Sequence, residues 1–130
     1  MNIIICGAGR VGFTIAKQLS EQGHSITVID QSSEDIQKID DALDVKAIVG
    51  KATYPSILEK ADASDADMII AVTRNDEINM VICQIAFSIF KIPKKIARIR
   101  SQDYLNPKFT RVYNKENLPI DVIISPEIEI

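Results

Sequence analysis

The chain has 130 residues, of which 46% are hydrophobic and 25% charged, with a formal net charge of −3 and a pI near 5.1. This composition is typical of one folded globular domain and excludes a disordered or fibrous chain. An acidic chain with one histidine and two cysteines outside any C-x-x-C spacing is a poor candidate for a nucleic-acid-binding protein, a zinc protein or a cysteine hydrolase. We therefore expect no metal site and no catalytic residue.

The first residues, Met1 to Cys6, contain no basic segment or cleavage site, and we interpret them as a strand rather than a secretory signal. The apolar runs are far shorter than the roughly 20 residues that a membrane-spanning helix needs. Cys6 and Cys83 lie in separate apolar segments, which favours a reducing compartment. These features predict a cytoplasmic domain.

Six short apolar segments alternate with helical patterns along the chain. Because these segments are continuously apolar, they are typical of a parallel sheet covered by helices on both faces. The predicted strands are residues 3–6, 25–29, 46–49, 68–72, 95–99 and 121–124. The sequence therefore predicts a single α/β domain with a doubly wound, Rossmann-type parallel sheet and strand order 3-2-1-4-5-6.

Helical periodicity of apolar residues appears between the predicted strands. The predicted helices are residues 11–19 with Gly23 as the C-terminal cap, residues 33–43 with Ser32 or Ser33 as the N-cap, residues 55–60, residues 76–91, and a weak pattern after Asp103 that Pro107 interrupts. We expect residues 1–125 to form the Rossmann domain and residues 126–130 to begin a connection to a further C-terminal region.

The fourth predicted helix is apolar on nearly all sides. Ten of the 13 residues from Ile78 to Phe90 are apolar, whereas a helix that covers one face of a sheet normally keeps a wide polar side. Either an additional element of this chain, which 130 residues scarcely provide, or a second subunit would bury the remaining apolar surface. We therefore predict a homo-oligomer, with a dimer as the simplest symmetry.

A glycine-rich turn follows the first predicted strand and opens the first helix, with the sequence Gly7-Ala8-Gly9-Arg10-Val11-Gly12. In this context G-x-G-x-x-G indicates a dinucleotide-binding turn. The first glycine permits the tight turn, the second lets the backbone approach a pyrophosphate, and the third lets the helix pack closely on the strand. The N–H groups at the helix N-terminus would then bind phosphate oxygens.

Asp30 stands eighteen residues after Gly12, directly after the second predicted strand. An acidic side chain at this place accepts hydrogen bonds from the hydroxyls of an adenosine ribose. Alternatively, Asp30 is only a turn residue ahead of Ser32. In the first case NADP(H) would be excluded, since the carboxylate would repel a 2′-phosphate.

The loop after the fourth predicted strand lies beside the glycine turn in the predicted strand order. Thr73 and Asn75 are therefore candidates for contacts to a phosphate or a ribose, although helix capping by Asn75 or Asp76 explains these residues equally well. Arg98 follows the fifth strand and is either a phosphate partner or a solvated edge residue. Residues 91–115 contain eight basic side chains against one acidic side chain, which suits an anionic ligand, an acidic partner surface or a solvated basic face.

Several segments together resemble one family: C-G-A-G-R-V-G, V-I-D, I-V-G-x-A-T, A-V-T-R-N-D-E-I-N, A-R-I-R and I-I-S-P-E. The chain resembles, over essentially its whole length, the regulatory nucleotide-binding domains of potassium transporters and channels, known as KTN or RCK N-terminal domains. Within them it is most similar to the domains of Trk potassium-uptake regulatory subunits. The T-x-x-D-E-x-N and I-S-P-E segments are more specific to this family than the glycine turn is.

The resemblance implies a domain that binds NAD(H) or ATP/ADP, forms dimers and rings, and controls a membrane potassium transporter from the inner face of the cell membrane. It places phosphates at the glycine turn and the ribose at Asp30. Lys51 departs from the family, which usually has an acid at this place. The complete predicted site is Gly7, Ala8, Gly9, Arg10, Val11, Gly12, Asp30, Gln31, Lys51, Ala52, Thr73, Asn75 and Arg98.

Two enzyme patterns are weaker interpretations. Gly50-Lys51 lacks the other residues of a phosphate-binding loop, and the Tyr104 to Lys108 spacing of short-chain dehydrogenases is interrupted by Pro107. The remaining alternatives to a regulatory domain are the cofactor-binding half of an NAD-dependent dehydrogenase and an assembly scaffold with a vestigial pocket. No acid or base is well placed for hydride chemistry, because His24 precedes the second strand, at the end of the sheet away from the glycine turn.

Overall fold

Six strands pair in parallel in the order β3-β2-β1-β4-β5-β6, so the predicted fold class and strand order are confirmed. The computed structural model describes residues 1–125. The strands are β1 (Asn2–Cys6), β2 (Ser25–Asp30), β3 (Lys46–Val49), β4 (Met68–Ala71), β5 (Lys94–Arg98) and β6 (Val122–Ile124). All six carboxyl ends lie along the same edge of the sheet, here called the carboxyl edge.

The helices are α1 (Arg10–Glu21), α2 (Ser33–Ala42), α3 (Pro55–Lys60), α4 (Asp76–Ser88) and α5 (Gln102–Leu105), with 3₁₀ helices at Ala63–Asp65 and Pro107–Val112. The sheet separates two apolar layers. Ala16 of α1 and Ile39 of α2 pack on one face, and Leu58 of α3 and Ile82 of α4 pack on the other. No helix within residues 1–125 is long and apolar enough to cross a membrane.

Several predicted ends were wrong by one to three residues. The helix α4 stops at Ser88 rather than residue 91, because Lys91 takes a left-handed conformation with φ 57° that no helix continues. The weak pattern after Asp103 is a single turn of helix followed by a 3₁₀ helix that Pro107 opens. The 3₁₀ helix at Ala63–Asp65 was not predicted, and the predicted connection at residues 126–130 lies outside the described residues.

The helix α4 buries only part of the apolar surface that the sequence predicted to be covered on more than one side. Ile82, Cys83 and Ala86 are fully buried against the sheet. Val81 and Ile89 remain 45% and 54% exposed, respectively. Val81 and the C-cap residue Ile89 define what we call the outer face of α4.

Lys95 belongs to the basic segment 91–115, for which the sequence suggested an anionic ligand, an acidic partner surface or a solvated face. Its side chain is instead buried beneath α4, where its ammonium group lies 3.2 Å from the Asp121 carboxylate and 5.3 Å from the centre of the Phe87 ring. The ammonium group also donates to the carbonyls of Ile92 at 2.9 Å and Pro93 at 3.2 Å. A buried cation is tolerated because these partners replace its hydration.

Two glycines of the turn after β1 are required by the fold itself. Gly7 has φ 120°, and a Cβ there would lie 2.8 Å from the Val72 carbonyl oxygen. A Cβ at Gly12 would overlap the Gly7 carbonyl oxygen. The helix α1 can therefore lie this close to β1 only with a glycine at position 12.

Gly12→Ala is expected to destabilise the domain by about 3 kcal/mol, because either α1 or the turn must move to make room for the methyl group. Gly9→Ala is the matched control, since a Cβ at Gly9 meets no atom within 4 Å. Its cost should stay below about 1 kcal/mol, the scale of a helix N-cap change. Urea unfolding followed by circular dichroism measures both values, and equal midpoints for the two variants would contradict the packing argument.

Candidate functional site

A cavity of about 770 Å³ opens at the carboxyl edge, between the glycine turn and the loops that follow β2 to β5. It lies where β1 and β4 are neighbours, the point at which the strand order reverses and ligands of such folds bind. Eleven of the thirteen predicted site residues line it: Gly7, Gly9, Arg10, Val11, Asp30, Gln31, Lys51, Ala52, Thr73, Asn75 and Arg98.

Ala8 and Gly12 are the two predicted site residues outside the lining. Ala8 is buried and its backbone N–H donates to the Asp30 carboxylate. Gly12 packs against the Gly7 carbonyl. Both residues shape the turn rather than face the cavity.

The N-terminus of α1 faces the cavity without a side-chain cap. Gly9 is its N-cap residue, and the Gly9 carbonyl accepts the first helical hydrogen bond, from Phe13 N–H at 2.8 Å. The N–H groups of the first turn have no partner within a helix, and they carry its positive dipole end. An anionic group in the cavity would satisfy them.

Asp30 has the turn role, one of the two roles that the sequence left open. One carboxylate oxygen accepts from Ala8 N–H at 2.7 Å and the other from Ser32 N–H at 2.8 Å. Asp30 thus fastens the glycine turn to the start of α2. It also lines the cavity, and each carboxylate oxygen retains a lone pair for a ribose hydroxyl.

Asn75 is the N-cap of α4, the alternative role that the sequence left open. Its side-chain oxygen accepts from Ile78 N–H at 2.9 Å. The neighbouring Asp76 carboxylate accepts from the N–H groups of Arg100 at 3.0 Å and Ser101 at 2.8 Å. The loop after β4 is therefore bound to the loop after β5 through the first turn of α4.

Several lining residues were not predicted: Ile29, Asp35, Gly50, Thr53, Val72, Arg74, Ile78, Ile82 and Arg100. Arg74 and Arg100 had a usable signal, because both are basic and both follow a predicted strand at the carboxyl edge. The apolar lining residues had no such signal, because in the sequence they look like ordinary core residues of a strand or helix.

The lining carries five basic side chains (Arg10, Lys51, Arg74, Arg98 and Arg100) and two acidic ones (Asp30 and Asp35). Arg98 is half-buried rather than a fully solvated edge residue. The ammonium group of Lys51 lies 5.4 Å from the centre of the Tyr54 ring, a distance at which cation and ring attract each other. This excess of positive charge favours an anionic ligand.

Three residues of the enzyme interpretations, His24, Tyr104 and Lys108, do not line the cavity. His24 is within 3.1 Å of the Met1 amino group, at the opposite edge of the sheet. Tyr104 belongs to α5 and Lys108 to the following 3₁₀ helix, and the charge of Glu77 raises the pKa of Tyr104. No group of three or more metal-ligating side chains occurs within residues 1–125.

Both thiols are buried, and we predict that they are inert in the folded protein. Burial raises the pKa of Cys83 to about 12 and raises that of Cys6 as well, so almost no thiolate exists at pH 8. Ellman's reagent should react only as fast as the chain unfolds, with no acceleration of the Cys83 reaction between pH 7 and 9. The guanidinium-denatured chain is the control for two reactive thiols, and rapid labelling of the folded protein would contradict the prediction.

The model of the TrkA-N domain family matches residues 3–126. The Trk system potassium uptake protein TrkA of Azorhizobium caulinodans is 47% identical over 130 residues, which cover 100% of this chain and 28% of that protein. The chain therefore spans little more than a quarter of the length of this curated relative. The relative is named as a potassium uptake protein.

Two solved structures share the fold. The TrkA-N domain of the inner membrane protein ybaL from Escherichia coli superposes with a TM-score of 0.83 at 21% identity, covering 98% of this chain and 89% of that one. The Kef C-terminal domain of Shewanella denitrificans, in an AMP-bound form, superposes with a TM-score of 0.70 at 26% identity, covering 85% of this chain and 69% of that one. The sequence match, the fold and the glycine turn agree, and the chain belongs to the TrkA-N domain family.

Proposed function

We propose that this domain binds an adenine nucleotide, NAD(H) or ATP/ADP, in the carboxyl-edge cavity and that its occupancy regulates a membrane potassium transporter. The observation that carries the proposal is the open space beside the backbone of Gly9. Gly7 and Gly12 are needed by contacts inside the protein, whereas a Cβ at Gly9 would meet no atom within 4 Å. Gly9 also has φ −76°, which any residue can adopt.

No contact inside the protein requires a glycine at position 9. A ligand that lies against the backbone of this residue would require one. The pyrophosphate of a dinucleotide, or the phosphates of ATP or ADP, would lie there, in contact with the N–H groups of the first turn of α1. Asp30 would then bind the ribose hydroxyls, and the five basic residues of the lining would balance the phosphate charge. The AMP bound to the Kef domain supports an adenine nucleotide.

The regulatory part of the proposal rests on the relatives. The curated relative belongs to a potassium uptake system, and this chain corresponds to about a quarter of it, so we propose a cytoplasmic module attached to a membrane transporter subunit. A dehydrogenase half is disfavoured because the described cavity lining has no histidine, tyrosine or cysteine to exchange a proton with a substrate. We expect no NADH oxidation with small carbonyl substrates.

Association between copies is part of the proposal. The outer face of α4 exposes Val81 and Ile89, and Met80 and Phe87 on the same helix are only partly buried. Apolar side chains grouped on one helix are typical of a surface that a partner covers. A second copy, related by a two-fold axis, is the simplest such partner.

Titration calorimetry with NADH, NAD, ATP and ADP tests the nucleotide site. Gly9→Ala should lower the affinity of the nucleotide that binds by about tenfold, the value of one lost hydrogen bond to a phosphate, and Gly9→Val by more. Both side chains would begin with a Cβ in the space of the phosphates, where it meets no atom of the protein within 4 Å. If Gly9→Val binds as tightly as the unmodified chain, the phosphates do not lie on this turn and the proposal fails.

Asp30 should exclude NADP(H), because its carboxylate would lie against the 2′-phosphate. Asp30→Asn keeps an acceptor for only one of the two backbone N–H groups, those of Ala8 and Ser32, and removes the negative charge. It should weaken NADH binding by about 1 to 3 kcal/mol, the loss expected for a charge-assisted hydrogen bond. The same calorimetric titration with NADPH is the control. Tighter binding of NADPH than NADH to the unmodified chain would contradict the assignment and point to Lys51 as the partner of the 2′-phosphate.

The isolated chain should self-associate at tens of micromolar, and a Val81→Glu, Ile89→Glu double variant should remain monomeric, because it places two charges in the proposed interface. Sedimentation equilibrium measures both. Val49→Glu is the matched control, since Val49 is 51% exposed but lies on the edge strand β3. A monomeric unmodified chain at that concentration would exclude this interface.

A further inference from the structure

Asn79 is a buried polar residue that the nucleotide site described above does not use. Two polar or charged side chains of the described residues are buried, Asn79 at 0% exposure and Lys95 at 4%. Lys95 forms an ion pair with Asp121 at the amino end of β5. Asn79 lies near the start of α4, one turn after the Asn75 cap, and faces the carboxyl edge.

The Asn79 side chain uses its full hydrogen-bonding capacity. Its oxygen accepts from Thr73 N–H at 3.0 Å and from the Thr73 hydroxyl at 2.6 Å. Its amide group donates to the Thr73 carbonyl at 3.2 Å and to the Arg98 carbonyl at 2.8 Å. An asparagine side chain has two acceptor and two donor positions, so none is left over.

These bonds continue the pairing of two strands beyond the place where the sheet ends. The β4–β5 ladder runs from Met68–Lys94 to Ala71–Ala97 and then stops, as the strands separate around the cavity. Past the last pair, Asn79 bridges Thr73 and Arg98. A side chain of α4 therefore takes the place of the next backbone contact between these strands.

The two residues that Asn79 connects both line the cavity, whereas Asn79 itself does not. Its influence on a ligand must therefore pass through Thr73 and Arg98. The Asp76 carboxylate strengthens the same connection, because it binds the N–H groups of Arg100 and Ser101 in the loop after β5. Both strand ends are thus attached to the first two turns of α4.

We propose that Asn79 is the positioning residue of the nucleotide site, which sets the spacing of Thr73 and Arg98 and couples both to the position of α4. The inference rests on the proposed function for its ligand. A ligand that shifts either strand end must break the Asn79 bonds or move α4 with it. Since the outer face of α4 is the proposed interface, occupancy of the cavity and association of copies are linked through this side chain.

Asn79→Asp is the informative variant, because it keeps the acceptor for Thr73 N–H but removes the amide donors to Thr73 and Arg98. Lys95→Met is the matched control, since it removes the other buried polar group, also packed beneath α4, far from the cavity. Asn79→Ala serves if a buried carboxylate prevents folding. Measurements are urea midpoints, calorimetric titration with NADH and ADP, and amide hydrogen exchange with and without nucleotide.

We expect the Asn79 variants and Lys95→Met to lower the urea midpoint. Only the Asn79 variants should weaken nucleotide binding, by at least about tenfold. In the ligand-free protein, exchange at Thr73 and in the loop after Arg98 should be faster in the Asn79 variants than in Lys95→Met. Added nucleotide should slow exchange in the first turns of α4 in the unmodified chain, and this effect should be lost in the Asn79 variants.

Unchanged nucleotide affinity in Asn79→Asp or Asn79→Ala would overturn the inference, and so would an equal loss of affinity in Lys95→Met, which would show a general effect of stability. If the unmodified chain binds no nucleotide, the proposed function fails. The exchange rates of the ligand-free variants then decide alone whether Asn79 holds the two strand ends.

Discussion

The contact between Gly12 and the Gly7 carbonyl sets how closely α1 approaches β1, and the geometry of the cavity depends on it. With α1 at this distance, its uncapped N-terminus points into the cavity beside β4. Asp30 binds the same turn from the other side, through the N–H of Ala8. The turn is therefore held at both ends by contacts that leave Gly9 between them facing the open space.

The parts of the fold that depend on the pattern of neighbouring residues were predictable from the sequence. Continuous apolar runs gave all six strands, and the position of the glycine turn between a strand and a helix gave the likeness to nucleotide-binding domains. The strand order followed from the Rossmann pattern. The ends of elements were less predictable, as at Lys91, which takes a left-handed conformation although it is not a glycine or an asparagine.

Interactions between distant parts of the chain left no local signal. Asn79 joins Thr73 to Arg98, 19 residues beyond it, and Lys95 pairs with Asp121, 26 residues beyond it. From sequence alone, an asparagine in a helix and a lysine in a basic segment are both expected at the surface. In the same way, Asp30 was predicted as a ligand residue or a turn residue, and the structure has it lining the cavity while bound to two backbone groups.

The open space around Gly9 also bears on how such domains diverge. Because a Cβ at this position meets no atom within 4 Å, a single-nucleotide change would, under the proposed function, remove ligand binding without reducing the amount of folded protein in the cell. Selection for stability would not oppose that change, whereas it would oppose a change at Gly12. Descendants that keep the architecture and have lost the response should therefore carry larger residues at position 9 and retain glycine at position 12.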